Sequence, residues 1–294
     1  MKFITFRRNR SEHLGVLATD EAKVFDLSEA GIASTMLDLI DRFDTLREPI
    51  ARLLGTSDAQ PLAKLEILAP IPQPRRNIFC VGKNYLEHAA EFGSSGFDSG
   101  SVGGDETPDY PIIFSKPPSS VIGPGAEIAG ALDPYNSVDY EAELAVIIGR
   151  AGRVGDTDDP MSFVFGYTIL NDVTSRELQK RHKQWLLGKG IDTFAPMGPA
   201  IVSVDAIADI RAQTIQLWVN NERRQSASIS NLIFDIPTLI KIIGRSIALQ
   251  PGDIIATGTP AGVGIGFKPP RYLKSGDRIR IEVSSVGVLE NTVL

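Results

Sequence analysis

The chain has 294 residues, of which 43% are hydrophobic and 22% are charged, and its formal net charge is −6. This composition is typical of a globular protein with enough apolar residues for a core. The acidic balance, without a basic cluster, argues against nucleic-acid binding. The single cysteine, Cys80, excludes an intrachain disulfide framework. Because no apolar stretch reaches the roughly 18 residues that span a bilayer and MKFITFRRN lacks a signal-peptide core, we expect a cytoplasmic protein.

Residues 1–70 are predicted to form a small N-terminal β/α module. The segments MKFITF and HLGVLAT alternate as strands do, and TMLDLIDRFDTLREPIARLL has the period of an amphipathic helix. Three prolines follow, at positions 70, 72 and 74, and such a cluster is typical of a linker or boundary. We therefore place a second domain over residues 73–294.

The second domain is predicted to be rich in short strands. Its apolar runs are NIFCVG, PIIFSK, ELAVIIG, FGYTILND, TIQLWVN, DIIATG and RIRIEV. Two helices are expected, one over Ser175 to Leu187 and one after Asp235, where Asp235 can cap the helix and Pro237 fits its first turn. Many short strands with few helices predict a β-rich barrel, roll or sandwich.

Residues 93–110, GSSGFDSGSVGGDETPDY, are rich in glycine, serine and aspartate and poor in apolar residues. Such a composition cannot form a core and is typical of a mobile loop. A plain surface loop is one interpretation. The alternative is a lid over residues 84–110. It is favoured because the segment adjoins residues that could take part in catalysis.

Two carboxylates interrupt the apolar run VDYEAELAVII. In a strand, Glu141 and Glu143 share one face and lie roughly 6 to 7 Å apart. Buried carboxylates need a partner, and a hard divalent cation prefers oxygen ligands. Asp172, at the end of the apolar run FGYTILND, is a suitable third ligand from a neighbouring strand. The alternative is that these carboxylates face solvent or pair with arginine or lysine.

A histidine with a nearby carboxylate lies in VGKNYLEHAAEFG. His88 and Glu91 are three residues apart, so they are neighbours on a helical turn. A carboxylate in that position can orient the imidazole and stabilise its protonated form, as a general base requires. The alternative is a surface histidine on a short helix.

Other catalytic and cofactor motifs are absent from the sequence. There is no G-x-S-x-G or H-E-x-x-H motif. The segment GTPAGVGIGF fits neither the P-loop nor the G-x-G-x-x-G spacing. Cys80 lies inside an apolar strand and is interpreted as a small buried hydrophobic residue.

Taken together, several motifs resemble the fumarylacetoacetate hydrolase family, in its longer bacterial branch. They are VGKNYLEHAAE, IIFSKPPSSVIGPG, DYEAELAVIIG, GYTILNDVTSRELQ, QWLLGKGIDTFAPMGP, IATGTPAGVG and SGDRIRIEV, in family order over about residues 73–294. The resemblance implies an α+β, β-rich fold, with a mixed β-roll as the catalytic domain beside the small N-terminal module. It also implies a homodimer.

The resemblance also implies roles for particular residues. It makes Glu141, Glu143 and Asp172 the ligands of Mg²⁺, with Mn²⁺ or Ca²⁺ as alternatives. It makes His88 and Glu91, on a lid helix, the pair that activates water. It implies four residues that contact the substrate's oxygens, namely Arg176, Gln179, Thr259 and Lys189. It implies a catalytic role for Lys189 as well. Ser115 and Lys116 are expected near the metal.

The implied activity is metal-dependent hydrolysis of a C–C bond in a 1,3-dicarbonyl or acylpyruvate-type 2-oxo acid. An alternative is a decarboxylase or enol–keto isomerase of a 2-oxo (di)acid that uses the same metal site. A non-enzymatic alternative is a dimeric ligand-binding module. It is disfavoured because the residues of the metal site and of the histidine–glutamate pair all have the right type.

Overall fold

The structure, a computed structural model, describes residues 1–94 and 108–294. The helices are α1 (Met36–Leu54), α2 (Leu86–Ser94), α3 (Arg176–His182), α4 (Leu186–Lys189) and α5 (Ile236–Ser246). The strands are β1 (Lys2–Arg8), β2 (Ser11–Leu17), β3 (Lys23–Asp26), β4 (Gln60–Pro61), β5 (Glu66–Ile67), β6 (Ile78–Gly82), β7 (Ile112–Lys116), β8 (Val121–Ile122), β9 (Glu127–Ile128), β10 (Val138–Asp139), β11 (Ala142–Ile148), β12 (Val164–Asn171), β13 (Thr174–Ser175), β14 (Ala195–Ser203), β15 (Thr214–Val219), β16 (Glu222–Ser228), β17 (Ile254–Ala256), β18 (Arg278–Val283) and β19 (Gly287–Val293).

The largest sheet within the described residues has twelve strands. Ten of them follow the order β4-β3-β2-β1-β14-β12-β11-β17-β6-β7, while β5 pairs with β1 and β8 with β14. A second sheet has the order β16-β15-β18-β19-β9. Most pairs are antiparallel, but three are parallel within the described residues: β14 with β8, β17 with β6 and β19 with β9. The mixed, β-rich fold predicted from the sequence is therefore confirmed.

The N-terminal strands continue the same sheet as the rest of the chain, because β1 pairs antiparallel with β14. Helix α1 covers this part, and its side chains Leu39 and Phe43 are buried. The Phe43 ring meets the Phe165 ring edge-on at a centroid distance of 4.9 Å. The predicted strands and helix of this region are confirmed, while the division at residues 70–73 stays a prediction.

The central strand β11 separates two apolar clusters. Ala142, Leu144, Val146 and Ile148 belong to one cluster, and Ala145 and Ile147 to the other, which includes the buried side of α1. This alternation follows from the opposite directions of successive side chains in a strand. Cys80 is a free, buried thiol in β6, as predicted, and burial raises its pKa.

The single helix predicted over Ser175 to Leu187 is wrong, because the chain forms two short helices there. Lys183, between α3 and α4, has φ = +56°, which is outside the helical region. The break lets α4 fold back on α3, where a Cβ at Gly188 would lie only 2.5 Å from the backbone nitrogen of Gln179. Lys189, at the end of α4, is thereby brought close to the first turn of α3.

The second predicted helix is confirmed as α5, whose capping residue Asp235 accepts a hydrogen bond from the Thr238 N–H. The predicted lid over residues 84–110 includes α2, which carries His88. Its residues 95–107 lie outside the described residues. Within the described ranges, no helix is both long and apolar enough to cross a membrane.

Candidate active site

Three carboxylates meet where β11 begins and β12 ends. Glu141 and Glu143 are buried at the start of β11, and Asp172 is buried just after β12. The antiparallel register pairs Glu143 with Leu170, and the Asp172 N–H donates to the Glu141 carbonyl at 2.8 Å. One oxygen from each carboxylate lies within 4.8 Å of the others. The structure therefore brings the three predicted metal ligands together.

Buried cations balance two of these carboxylates. Lys189 Nζ donates to Glu141 Oε2 at 2.8 Å and to Asp172 Oδ2 at 2.7 Å. Lys116 Nζ donates to Asp172 Oδ1 at 2.6 Å, and Arg176 Nη1 lies 2.7 Å from Glu141 Oε1. Burial would raise the pKa of Glu141, but the charges of Lys189 and Arg176 outweigh it and lower that pKa to about 2. The alternative interpretation, pairing with lysine or arginine, is thus also realised in this structure.

Glu143 differs from the other two carboxylates. It forms no salt bridge with any residue in the described part of the chain, and its Oε2 accepts a hydrogen bond from the Gly258 N–H at 2.8 Å. Burial and the charges of Asp172 and Glu141 raise its pKa well above the usual range. An uncompensated buried carboxylate favours a cation as its missing partner. An all-oxygen donor set fits a hard divalent ion such as Mg²⁺ or Mn²⁺.

The hydroxyl group of Tyr85 gives a second indication that protein atoms alone do not complete the site. Tyr85 is 3% exposed, and its hydroxyl oxygen has no hydrogen-bond partner within the described residues. Burial and the nearby charge of Glu143 raise the pKa of Tyr85. A buried polar group of this kind is normally satisfied by protein, water or a ligand. The carboxylate cluster and this hydroxyl together fit a hydrated cation.

His88 and Glu91 lie on one turn of α2, as predicted. His88 Nδ1 is 3.3 Å from Glu91 Oε2, and the imidazole is buried. The Glu91 carboxylate also accepts the Gly262 N–H at 3.1 Å. A Cβ at Gly266 would lie 1.8 Å from Glu91 Oε1, so glycine is required there for the carboxylate to fit. These contacts fix Glu91, and through it the imidazole ring, relative to the glycine-rich segment.

Backbone N–H groups of the glycine-rich segment GTPAGVGIGF donate hydrogen bonds to carboxylates of the protein. Asp139 accepts the Gly264 N–H at 2.6 Å through Oδ1 and the Ile265 N–H at 3.0 Å through Oδ2. The same Oδ2 accepts from Arg176 Nε at 2.8 Å. Asp139 therefore ties Arg176 to the segment that also holds Glu91. Sequence analysis missed this residue, although positions 139, 141 and 143 form a period-two series of carboxylates that pointed to it.

The predicted substrate-binding residues lie around the same cluster. Gln179 Oε1 accepts a hydrogen bond from Arg176 Nη1 at 3.2 Å, so both share one face of α3 as predicted. Thr259 is buried, and its hydroxyl accepts from Gln225 Nε2 at 2.8 Å. Gln225, another residue that sequence analysis missed, also accepts the Ala142 N–H at 3.0 Å through its Oε1. It thereby links the strand of the carboxylates to the loop that carries Thr259.

Of the two residues expected on the FSKP strand, only Lys116 contacts the carboxylates. Ser115 occupies the opposite face of β7, because successive side chains alternate. Its hydroxyl accepts a hydrogen bond from Asn77 Nδ2 at 3.2 Å. The expectation that Ser115 lies at the metal site is therefore wrong.

A cavity of about 20 Å³ lies among these groups. Six of the predicted residues line it, namely His88, Glu141, Arg176, Gln179, Lys189 and Thr259. A much larger cavity of about 760 Å³, lined by Arg224 and Arg271 among others, contains none of the predicted site residues. Size alone would therefore select the wrong place. The small cavity is the candidate active site because buried charged side chains and a histidine line it, and one of these, Glu141, belongs to the carboxylate cluster.

Curated relatives cover the whole chain. Oxaloacetate tautomerase YisK of Bacillus subtilis (strain 168) is 39% identical over 100% of both chains. The mitochondrial oxaloacetate tautomerase FAHD2B of Bos taurus is 38% identical over 96% of this chain and 87% of its own length. These names favour the isomerase alternative over the C–C hydrolase that sequence analysis placed first.

A solved structure and a family profile agree with the fold and the motifs. Maleylpyruvate hydrolase from Sphingobium sp. SYK-6, in complex with manganese(II) ion and pyruvate, is 33% identical, with a TM-score of 0.81 over 100% of this chain and 99% of that one. The family described as fumarylacetoacetate (FAA) hydrolase C-terminal matches residues 77–294. The chain belongs to the fumarylacetoacetate hydrolase family.

Proposed function

We propose that the protein is a metal-dependent keto–enol tautomerase that acts on oxaloacetate or a closely related short 2-oxo diacid. The observation that carries this proposal is a cavity lined by His88, Arg176, Lys189 and Glu141, the last of which belongs to the carboxylate cluster with Glu143 and Asp172. The names of the curated relatives support an isomerase with this substrate. The small volume of the cavity also suits a small acid better than a long acyl chain.

Glu141, Glu143 and Asp172 are the residues that would hold the metal, each through a carboxylate oxygen. A bound divalent cation would act as a Lewis acid on the 2-oxo group and favour the enolate. Mg²⁺ is the ion that we propose, with Mn²⁺ or Ca²⁺ as alternatives, and the manganese in the maleylpyruvate hydrolase structure supports a hard divalent ion. Lys116, Arg176 and Lys189 pair with Asp172, Asp139 and Glu141. Glu143 has no such pair within the described residues, and its charge is the one that a metal would offset.

His88 is the residue that we propose moves a proton to and from C3 of the substrate. Its Nδ1 lies 3.3 Å from Glu91 Oε2, and the imidazole lines the same cavity as Glu141. Glu91 stabilises the imidazolium that forms when His88 takes the proton. Lys189, between Glu141 and Asp172, supplies a donor for the developing negative charge on the substrate oxygen. Arg176 and Gln179 would bind and orient the carboxylate next to the 2-oxo group, and Thr259 would donate its hydroxyl proton to the substrate.

The test begins with the enol form of oxaloacetate, whose ultraviolet absorbance falls as it converts to the keto form. We expect purified protein with millimolar Mg²⁺ to accelerate this decay, and excess chelator to abolish the acceleration. Returning Mg²⁺ should restore it. Decay at the buffer rate in the presence of Mg²⁺ and of Mn²⁺ would refute the proposal.

The C–C hydrolase is the second candidate. The His88–Glu91 pair is also suited to activate water, and the similar maleylpyruvate hydrolase carries that activity in its name. The two reactions differ in their products, because hydrolysis of an acylpyruvate releases pyruvate whereas tautomerisation releases nothing. Decarboxylation of oxaloacetate would be recognised by release of carbon dioxide.

We also propose that the chain works as a homodimer and that residues 1–70 form a module beside the catalytic part. The family resemblance supports the homodimer. The packing of α1 over the N-terminal strands supports the module. Light scattering at micromolar concentration tests the dimer. A monomer mass would refute it.

A further inference from the structure

Gln225 joins three segments of the chain beside the candidate active site. It lies on β16 and is 1% exposed. Its Oε1 accepts the N–H of Ala142, the first residue of β11, at 3.0 Å. Its Nε2 donates to Thr259 Oγ1 at 2.8 Å and to the Pro260 carbonyl at 2.6 Å. One side chain therefore connects the strand of the carboxylates to the loop that carries Thr259.

These contacts fix the orientation of the Gln225 amide. Exchanging its nitrogen and oxygen would place the NH₂ group against the Ala142 N–H and the amide oxygen against the Pro260 carbonyl. Two donors that face each other form no hydrogen bond, and neither do two acceptors. In the observed orientation both amide hydrogens and the amide oxygen have partners. Gln225 is therefore a donor to Thr259 and cannot be its acceptor.

The orientation of Gln225 decides how Thr259 uses its hydroxyl group. A hydroxyl oxygen can accept a hydrogen bond while the group keeps one proton to donate. Thr259 Oγ1 accepts from Gln225, and its own proton has no acceptor within the described residues. Thr259 is 2% exposed and lines the cavity with Arg176 and Lys189. Because buried donors are normally satisfied, an anionic oxygen in this cationic cavity is the fitting acceptor.

The loop that carries Thr259 is also held by β11. The Gly258 N–H donates to Glu143 Oε2 at 2.8 Å, and the Thr257 hydroxyl donates to a carbonyl of β11 at 2.9 Å. With these bonds on one side and Gln225 on the other, the Thr259 hydroxyl has a fixed place relative to the proposed metal ligands. Such supporting contacts make a donor effective, because it need not be ordered when the ligand binds.

We propose that Gln225 is a positioning residue that fixes Thr259 as a donor to an anionic oxygen of the ligand. This inference rests on the proposed function, which it deepens by stating the chemistry of the ligand group at Thr259. An oxygen with lone pairs and no proton satisfies the Thr259 hydroxyl, whereas a donor group at the same point leaves the hydroxyl proton unpaired. Gln225 acts through Thr259 and not on the substrate itself.

The test is a double-mutant cycle in which calorimetry measures the affinity for oxalate with saturating Mg²⁺, so that no turnover is needed. In the wild-type protein, Thr259→Val should weaken oxalate binding roughly 10-fold, because a hydrogen bond to a charged group is lost. Thr259→Ser, which keeps the hydroxyl, should retain the affinity.

Two substitutions of Gln225 separate the direction of the hydrogen bond from packing. In Gln225→Glu the introduced carboxyl oxygen takes the Thr259 proton, so Thr259→Val should cause no further loss of oxalate affinity. In Gln225→Met the volume is kept but the hydroxyl has no directing partner. It then populates three staggered positions, so Thr259→Val should weaken binding only about 3-fold.

Asn291→Asp is the matched control. Asn291 is also a buried side-chain amide, and its Nδ2 donates to the carbonyls of Gly123 and Ala126, both at 2.9 Å, outside the candidate site. In this background Thr259→Val should weaken oxalate binding as much as it does in the wild-type protein. Circular dichroism confirms that each variant is folded.

Three results would overturn the assignment. They are no binding of oxalate by the wild-type protein with Mg²⁺, no loss of affinity on Thr259→Val, or an equal loss with and without the substitution of Gln225. If Gln225→Glu does not fold, Gln225→Met alone decides the third result. A wild-type protein whose cycle is as expected but which fails to tautomerise oxaloacetate would refute the proposed function alone.

Discussion

The two ends of strand β11 differ on one face, because the first end is charged and the second is apolar. At the start, Glu141 and Glu143 are buried among charged groups. About 13 Å further along, by the rise of a strand, Ala145 and Ile147 face an apolar cluster that includes the buried side of α1. Both ends are buried, but only the apolar end is stabilised by packing alone. The charged end depends on pairs, and Glu143 has no cationic partner in the described part of the chain.

Stability and the proposed chemistry are therefore separated along a single strand. Buried ion pairs contribute little net stability compared with well-packed apolar residues. The charged end is therefore expected to cost stability when the metal is absent, while the apolar end supplies it. Substitutions at the two ends should affect turnover and the free energy of unfolding in different ways.

The largest effect on turnover is expected for Glu143→Gln. Loss of a metal ligand should lower kcat/KM on the order of 10³-fold, because Lewis-acid stabilisation of the enolate is lost. The folded-state pKa of Glu143 is raised, so its ionisation at neutral pH opposes folding, and the glutamine should unfold at a higher temperature in chelator. Mg²⁺ should stabilise the wild-type protein by mass action and not the variant.

Thermal unfolding with chelator and with millimolar Mg²⁺ checks the predicted stability of the variant and the predicted stabilisation of the wild-type protein by Mg²⁺. Glu48→Gln, on the exposed side of α1, is the matched control and should behave as the wild-type protein does. A Mg²⁺-dependent rise in Tm that persists in Glu143→Gln would contradict the assignment of this carboxylate.

Asp139→Asn should have the next largest effect. The carboxylate accepts from Arg176 and from three backbone amides, and an asparagine cannot accept from both sides. We expect turnover to fall about 10²-fold, because misplacement of a positioning group by about 1 Å has that effect. Metal affinity, measured by titration calorimetry, should change little.

The matched control for Asp139 is Asp253→Asn. Asp253 is also buried and pairs with Arg76 at 2.7 Å, but it lies outside the candidate site. Both variants should lose stability. Asp139→Asn should lose about 3–5 kcal/mol for a broken buried pair, and Asp253→Asn should lose less because Arg76 is partly exposed. Only Asp139→Asn should lose turnover. Equal turnover in the two variants would show that the link between Arg176 and the glycine-rich segment has no role in the reaction.

A smaller effect is expected for Gly266→Ala. The added Cβ would collide with Glu91 and displace its carboxylate from the Gly262 N–H and from His88. We expect turnover to fall about 10-fold. This loss is smaller than the one expected on removal of a general base, because His88 itself remains. Gly55→Ala, at the end of α1, is the control because its Cβ has room. Unchanged turnover in Gly266→Ala would refute a role for Glu91 in orienting His88.

The smallest effect on turnover is expected for Leu39→Ala, at the apolar end. Leu39 is fully buried in α1, and its truncation should reduce the free energy of unfolding by about 2–5 kcal/mol. Turnover per folded molecule and metal affinity should not change. Denaturant unfolding gives the first quantity, and a several-fold loss of turnover at full folding would show that the two ends are coupled.

The sequence predicted those parts of the site that depend on local spacing. Period-two spacing placed Glu141 and Glu143 on one face, and three-residue spacing placed His88 beside Glu91. The partners of the carboxylates depend on contacts between distant segments, such as the turn at Lys183 that returns Lys189 to Glu141. Lys183 has no glycine or proline beside it to signal a break, so propensity favoured one continuous helix.

We propose that this site interconverts keto and enol forms and does not break C–C bonds. The most direct measurement follows one preparation, with Mg²⁺, supplied separately with enol oxaloacetate and with an acylpyruvate, recording enol loss and pyruvate release. We predict chelator-sensitive loss of the enol at a rate far above pyruvate release from either compound. Pyruvate release from the acylpyruvate that matches or exceeds the rate of enol loss would contradict the claim.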